Sequence, residues 1–341
     1  MKTVARTSSS VLLRASSRAA FRPGNGESTR ACSFLSQALG RIGNRFKTTI
    51  GFLALSVLLV LVPNHTLLAG PPELPPLTTE SGASRLPGKF VWADLVTDDV
   101  PAARKFYGAL FGWTFSSLGE YTIAANDERP LCGIIQRQRP AGRPEAKPRW
   151  FGYISVRNVG KAQRAVIDAG GKVLVAPEKM PKRGEQAIFT DPEGAMFGAV
   201  KSSSGDPQDF LADPGDWIWI ELLSRNSRKA ADFYRQVAGY QVLENNATNR
   251  LSDYILASGG YARAAVRTIP NQDETVRPTW LLFVRVKNVM ATAALAKQLG
   301  GQVLLEPKPS LFDGKLAVLA DPTGAAIGIL EWNQAAQKGG N

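Results

Sequence analysis

Histidine and cysteine are almost absent from this 341-residue chain, which has one histidine, His65, and two cysteines, Cys32 and Cys132. From residue 70 onward there is no histidine and a single thiol, Cys132. That part of the chain therefore has no Ser-His-Asp triad, no Cys-His pair, no histidine-ligated metal and no internal disulfide. A concentrated basic surface is missing there too. The net charge is +12, but residues 1–69 hold nine Lys and Arg against one acid, Glu27. The remaining 32 basic and 28 acidic residues leave a net of +4, with no basic run interleaved with aromatics. Nucleic acid is therefore not expected as a partner. No GxGxxG phosphate loop occurs either.

What remains is a globular composition, 44% apolar and 21% charged, on a chain long enough for two or three domains. Residues 1–69 read as a basic leader. Its Ser- and Arg-rich start precedes an uncharged apolar run at 50–62, the pattern of a signal peptide or of a membrane anchor through residues 50–68. The run is short of the roughly 20 apolar residues a membrane span needs. An Arg-rich, acid-poor composition also fits a transit peptide, and a start codon assigned too early would explain the leader's length. The expectation is an exported, periplasmic or membrane-anchored protein. Residues 70–87, with PPELPP, read as an extended linker.

The rest of the chain repeats itself. Trp92, Asp94, Phe106, Tyr107 and Gly112 recur as Trp219, Glu221, Phe233, Tyr234 and Gly239. Pro148, Trp150, Val156, Asn158 and Val159 recur as Pro278, Trp280, Val286, Asn288 and Val289, and Asp191-Pro192 with Gly194 recurs as Asp321-Pro322 with Gly324. Ordered recurrence of this kind is a duplication. It gives domains at 88–201 and 216–333, a linker at 202–215 and a tail at 334–341. In each copy an alternating strand leads into an amphipathic helix. Val91, Ala93 and Leu95 are expected to face the helix, with Trp92, Asp94 and Val96 on the opposite face. Asp98 or Asp99 can cap that helix, and Pro101 suits its first turn. The predicted order is βαβββ twice per domain, an α+β fold.

FVWADLVTDDVPAARKFYGALFGWTF, followed about 80 residues later by DPEGAMFGAV, resembles the vicinal-oxygen-chelate superfamily of glyoxalases, bleomycin-resistance proteins and extradiol dioxygenases. The resemblance implies tandem domains, each a curved mixed sheet around a cavity. It also implies metal-ligand positions at Trp92, near Gly133–Ile135, at Phe151 and at Gly198, and in the second copy at Trp219, near Ala264, at Leu281 and at Gly328. None of these side chains can ligate a divalent metal, so neither a metal nor another cofactor is expected.

Candidate cavity residues are then Trp92, Asp94, Phe151, Trp219, Glu221 and Leu281. Asp94 and Glu221 either contact a ligand or pair with a nearby arginine or backbone donor. The tryptophans either stack on a ligand or fill the cavity. Each indole is also expected to lie over its partner glycine, Gly198 or Gly328, in the vacated metal position. Tyr107 and Tyr234 fall in a core stripe, Asp191 and Asp321 are turn residues, and Cys132 is a buried thiol. The expected function is metal-independent binding of an unidentified small molecule. The alternatives are a glyoxalase-type lyase or isomerase, a dioxygenase, or a structural module of the cell envelope.

Overall fold

A computed structural model describes residues 74–80, 82–137, 147–245 and 252–332. The leader, the first residues of the linker and the tail lie outside the described residues. Among those described, no helix is long and apolar enough to cross a membrane.

In the first domain β1 (Phe90–Thr97) precedes α1 (Val100–Phe111), then β2 (Thr114–Leu118), β3 (Tyr121–Asn126) and β4 (Arg129–Gln136). The second module has β5 (Arg149–Ser155), α2 (Val159–Asp168), β6 (Lys172–Met180), β7 (Gly184–Thr190) and β8 (Met196–Ser202). The second domain repeats this with β9 (Trp217–Ser224), α3 (Ser227–Ala238), β10 (Gln241–Glu244), β11 (Tyr254–Ser258) and β12 (Tyr261–Thr268). It ends with β13 (Thr279–Val286), α4 (Val289–Gln298), β14 (Gln302–Leu305), β15 (Leu316–Ala320) and β16 (Ala326–Glu331).

Local chemistry sets the helix ends. The Asp99 side chain accepts from Ala102 N, and Asn158, Asn226 and Asn288 cap the other three helices in the same way. Gly112 and Gly239 close α1 and α3 in the left-handed region, where a side chain would be strained.

Each domain is one eight-stranded sheet, in the orders β2-β3-β4-β1-β5-β8-β7-β6 and β10-β11-β12-β9-β13-β16-β15-β14. The first strands of the two modules meet antiparallel at the centre, and each pairs in parallel with the last strand of its own module. Module duplication within the domain thus appears as symmetry in the sheet. One detail differs from simple alternation. A register shift between Phe90 and Trp92 places Val91 in the same apolar cluster as Trp92, rather than beneath α1 with Ala93 and Leu95. An extra residue in one strand reverses the side-chain direction of everything before it.

The helix-side faces of both sheets share a single core. Two matched contacts join the domains across it. The Tyr107 hydroxyl donates to the Asp321 carboxylate (3.0 Å) and accepts from Trp150 Nε1 (2.9 Å). The Tyr234 hydroxyl donates to Asp191 (3.3 Å) and accepts from Trp280 Nε1 (2.9 Å). The phenols do sit in the core stripe, but each ends on the Asp-Pro turn of the other domain. The paired glycines serve the same junction. A Cβ on Gly171 would lie 3.1 Å from the Phe233 ring, and one on Gly301 would lie 2.7 Å from the Phe106 ring.

Burial pushes the Asp191 carboxyl up to about 6, against the pull of backbone donors at Ala195 and Glu193. Its ordinary value is 3.8. The folded chain therefore takes up this proton more readily than the unfolded chain. The group adds stability as pH falls through about 6, and its ionised form costs on the order of 2–3 kcal/mol at neutral pH. Asp191→Asn keeps an acceptor for the turn and removes the titration. Urea unfolding at pH 5 and pH 7.5 should show a smaller difference between the two pH values for the variant than for the wild type. An unchanged difference would place the titration elsewhere.

Candidate functional site

The concave face of the first domain gathers around Asp94, which is 3% exposed. Its Oδ1 accepts from the Tyr121 hydroxyl at 2.6 Å and from Trp92 Nε1 at 3.0 Å, and its Oδ2 accepts from the Tyr153 hydroxyl at 2.9 Å. Burial raises the Asp94 carboxyl above its usual range, opposed by the Tyr121 hydrogen bond, the Arg183 charge and the bond from Tyr153. Burial also lifts both phenols well above their usual range, with the neighbouring carboxylate adding to the effect. The Arg183 guanidinium lies 4.2 Å from the Trp92 ring. Phe151 packs in the same cluster, its ring 5.2 Å from that of Tyr153. Sheet register puts these groups together: Asp94 stands opposite Gly133 and Phe151, and Trp92 opposite Tyr153. Gly133 has no Cβ where one would lie 1.9 Å from the Tyr121 hydroxyl.

The group over Gly198 is Tyr153, not Trp92 as expected. A Cβ on Gly198 would sit 2.1 Å from the Tyr153 ring, and in the second domain one on Gly328 would sit 2.3 Å from the Phe283 ring. Tyr153 and Gly198 are direct partners across β5 and β8, whereas Trp92 lies one strand further away. Its indole instead turns its N–H to Asp94 and Tyr121. Gly198→Ala should therefore destabilise the chain by about 1–3 kcal/mol through overpacking, read as a lower urea midpoint. In a double-mutant cycle the cost of Gly198→Ala should be smaller in a Tyr153→Ala background than in the wild type, and unchanged in a background where Trp92 is truncated.

The corresponding face of the second domain holds Glu221, 6% exposed. Glu221 Oε1 accepts from Ser252 Oγ at 2.5 Å and from Arg267 Nε at 3.2 Å. Glu221 and Arg267 form part of the wall of an otherwise apolar cavity lined by Leu223, Leu281, Phe283 and Leu311, among others. Its free space is about 20 Å³, room for about one water. Trp219 is half-buried against the same apolar cluster, beside the cavity.

The structure places Trp92, Asp94 and Phe151 together on one concave face, and Trp219, Glu221 and Leu281 on the other. Asp94 is held by two tyrosines and an indole, Glu221 by a serine and an arginine. Alternation brings Tyr153 and Phe283 onto these faces, each two residues from a position already placed there, while Arg267 reaches Glu221 from β12, two residues beyond Ala265, the residue opposite Glu221. Arg183 and Ser252 approach from elsewhere and carry no local signal.

The metal implied by the family resemblance does not fit these residues. The four ligand positions hold an indole, a glycine, a phenyl ring and another glycine, with an aromatic ring over the last. In the second copy they hold Trp219, Ala265, Leu281 and Gly328. Among the described residues no three His, Cys, Asp or Glu side chains come together.

Comparison with known families matches residues 89–198 to the Glyoxalase/Bleomycin resistance protein/Dioxygenase superfamily and residues 218–330 to a glyoxalase-like domain. Relatives include CFP32 of Mycobacterium tuberculosis, provisionally named a glyoxylase. It is 31% identical over 252 residues, a match covering 70% of this chain and 93% of that protein. The anthracycline biosynthesis protein DnrV of Streptomyces peucetius is 28% identical over 260 residues, covering 72% and 94%. Among solved structures, the Mn(II)-bound glyoxalase from Novosphingobium aromaticivorans aligns with TM-score 0.49 at 18% identity, over 72% of this chain and 82% of that one.

Proposed function

Since this chain belongs to the glyoxalase/bleomycin resistance protein/dioxygenase superfamily, we propose that it is a metal-independent small-molecule binding protein whose site is the cavity of the second domain. The observation that carries this reading is the Glu221–Arg267 pair set in an apolar wall. A mostly apolar pocket with a few convergent polar groups is the usual form of a small-molecule site. The apolar wall excludes water, and the ion pair orients a hydroxyl, amine or carbonyl group on the ligand.

The present space is smaller than any such ligand. Leu311 forms part of its wall, just before a turn in which Phe312 and Asp313 both hold left-handed backbone angles, φ +50° and +53°. On this reading, admission of a ligand requires that turn to move outward and enlarge the cavity. The relatives' names, glyoxylase and anthracycline biosynthesis protein, favour an organic ligand with several oxygens. A lyase reading would use Glu221 as the base.

The test is calorimetry with a panel of aromatic carbonyl compounds, in the presence of a chelator. Saturable binding that Glu221→Gln weakens about tenfold or more, at unchanged thermal stability, supports the proposal. One divalent ion retained per domain, or binding that chelation abolishes, overturns the metal-independent reading. We further propose that the chain is exported or membrane-anchored through its basic leader and the apolar run at 50–62. Fractionation that finds the intact chain in the cytoplasm would contradict this.

A further inference from the structure

The described residues of the Pro-rich segment before the first domain, 74–80 and 82–87, form neither helix nor strand, as their composition implies, yet they are not a free linker. Leu74 is buried against Tyr121 and Met180, with Ile123 and Ile135 beside it. Leu77 is buried against Trp92, Phe151, Tyr153 and Val200. Between them the Pro75 carbonyl accepts from Arg183 Nε at 2.7 Å. The segment therefore lies on the concave face, directly over the cluster built on Asp94.

Several features mark this as occupancy of a site rather than continuation of a core. The segment is attached at its far end, where Arg85 Nε donates to the Ser202 carbonyl at 2.8 Å and Leu86 N donates to Asp206 at 2.6 Å. Release of residues 74–77 requires neither of those bonds to break. Pro75 and Pro76 hold an extended backbone at little entropic cost and bring no N–H that would need a partner. Arg183, 2% exposed, keeps its Nη2 without a hydrogen-bond partner beneath the segment. A buried guanidinium with an unused donor is costly to leave so, and the Pro75 carbonyl satisfies only its Nε. In the second domain the matching face is closed by Leu304, Leu305 and Leu311 of that domain itself.

We propose that residues 74–77 are a built-in competitor for a second binding site, on the concave face of the first domain. The ligand that displaces them is a small apolar molecule carrying a carboxylate or carbonyl oxygen for Arg183. The two leucines stand in for the apolar body, and the Pro75 carbonyl for that oxygen. The ligand assignment rests on reading these concave faces as small-molecule sites, whereas the competitor role does not. As a tethered occupant, the segment acts at the high effective concentration of an intramolecular partner. Apparent affinity for any ligand is reduced by the fraction of chains in which the face is open.

The experiment uses the full chain carrying Leu74→Asp and Leu77→Asp, with two probes: a fluorescent peptide of sequence PELPPLTTE and naphthoate. The released variant should bind the peptide at least about tenfold more tightly than the wild type. Naphthoate should compete with the peptide, and Arg183→Met in the released background should weaken both. If the released variant loses cooperative melting, restoration of that melting by the peptide also supports the proposal. A variant that melts as the wild type does but takes no peptide overturns it, as does a lost transition that the peptide fails to restore. Peptide binding without naphthoate competition overturns the ligand assignment. A wild-type chain that binds no ligand in the second domain would defeat the proposed function while leaving the competitor role standing.

Discussion

Trp150→Ala is expected to lower the stability of the whole chain by about 3–5 kcal/mol, the range for removing a buried tryptophan. Trp150 is 3% exposed and belongs to the core common to both domains. Its ring centre lies 5.4 Å from those of Tyr107 and Trp217 and 6.2 Å from that of Trp113, so truncation opens a cavity where the first domain meets the start of β9. It also removes the donor that the Tyr107 hydroxyl accepts from while that hydroxyl bonds to Asp321. Urea unfolding followed by fluorescence and by circular dichroism should report one transition for the wild type, because the core is shared, and one at lower midpoint for the variant. Two transitions in the variant, with the second domain unaffected, would show that the domains are stable independently of their junction.

Asp94→Ala should cost about 3–5 kcal/mol as well, for a different reason. Two phenol hydroxyls and an indole N–H are aimed at this one carboxylate. Each donor left buried without a partner costs about 1–3 kcal/mol, and the three are too close together to add fully. Asp94→Asn retains an acceptor and should cost about 1 kcal/mol. Guanidinium unfolding of the two variants checks this. If the alanine variant unfolds within about 1 kcal/mol of the wild type, Asp94 is not the structural hub, and its burial then serves a ligand. Glu221, with two partners on a single oxygen and a cavity beside it, is the carboxylate whose substitution should change binding more than stability.

The sequence by itself determined the duplication, the first helix of each domain with a cap at Asp98 or Asp99 in the first copy, the turn role of Asp191 and Asp321, and the lack of metal donors at the family's ligand positions. These features depend on neighbours a few residues apart or on residue type alone. The Asp99 cap is such a case, with its acceptor and donor three residues apart. So is the sorting of Trp92 and Asp94 onto one strand face, a matter of period two.

Only the tertiary structure decided what meets across the sheets and between the domains. Tyr153 rather than Trp92 covers Gly198 because β5, not β1, lies next to β8, and strand order leaves no trace in local periodicity. The shift at Val91 is one extra residue at the start of a strand where Phe90, Val91, Trp92 and Ala93 are all apolar, so composition does not mark which way Val91 faces. Tyr107 meets Asp321 across 214 residues, so its spacing on α1 showed a core stripe and nothing of its partner. The segment at 74–77 has the composition of a linker because prolines and leucines serve an extended occupant of a groove as well as a free tether. Which of the two it becomes depends on Arg183, 108 residues downstream of Pro75, standing where the Pro75 carbonyl can accept its N–H.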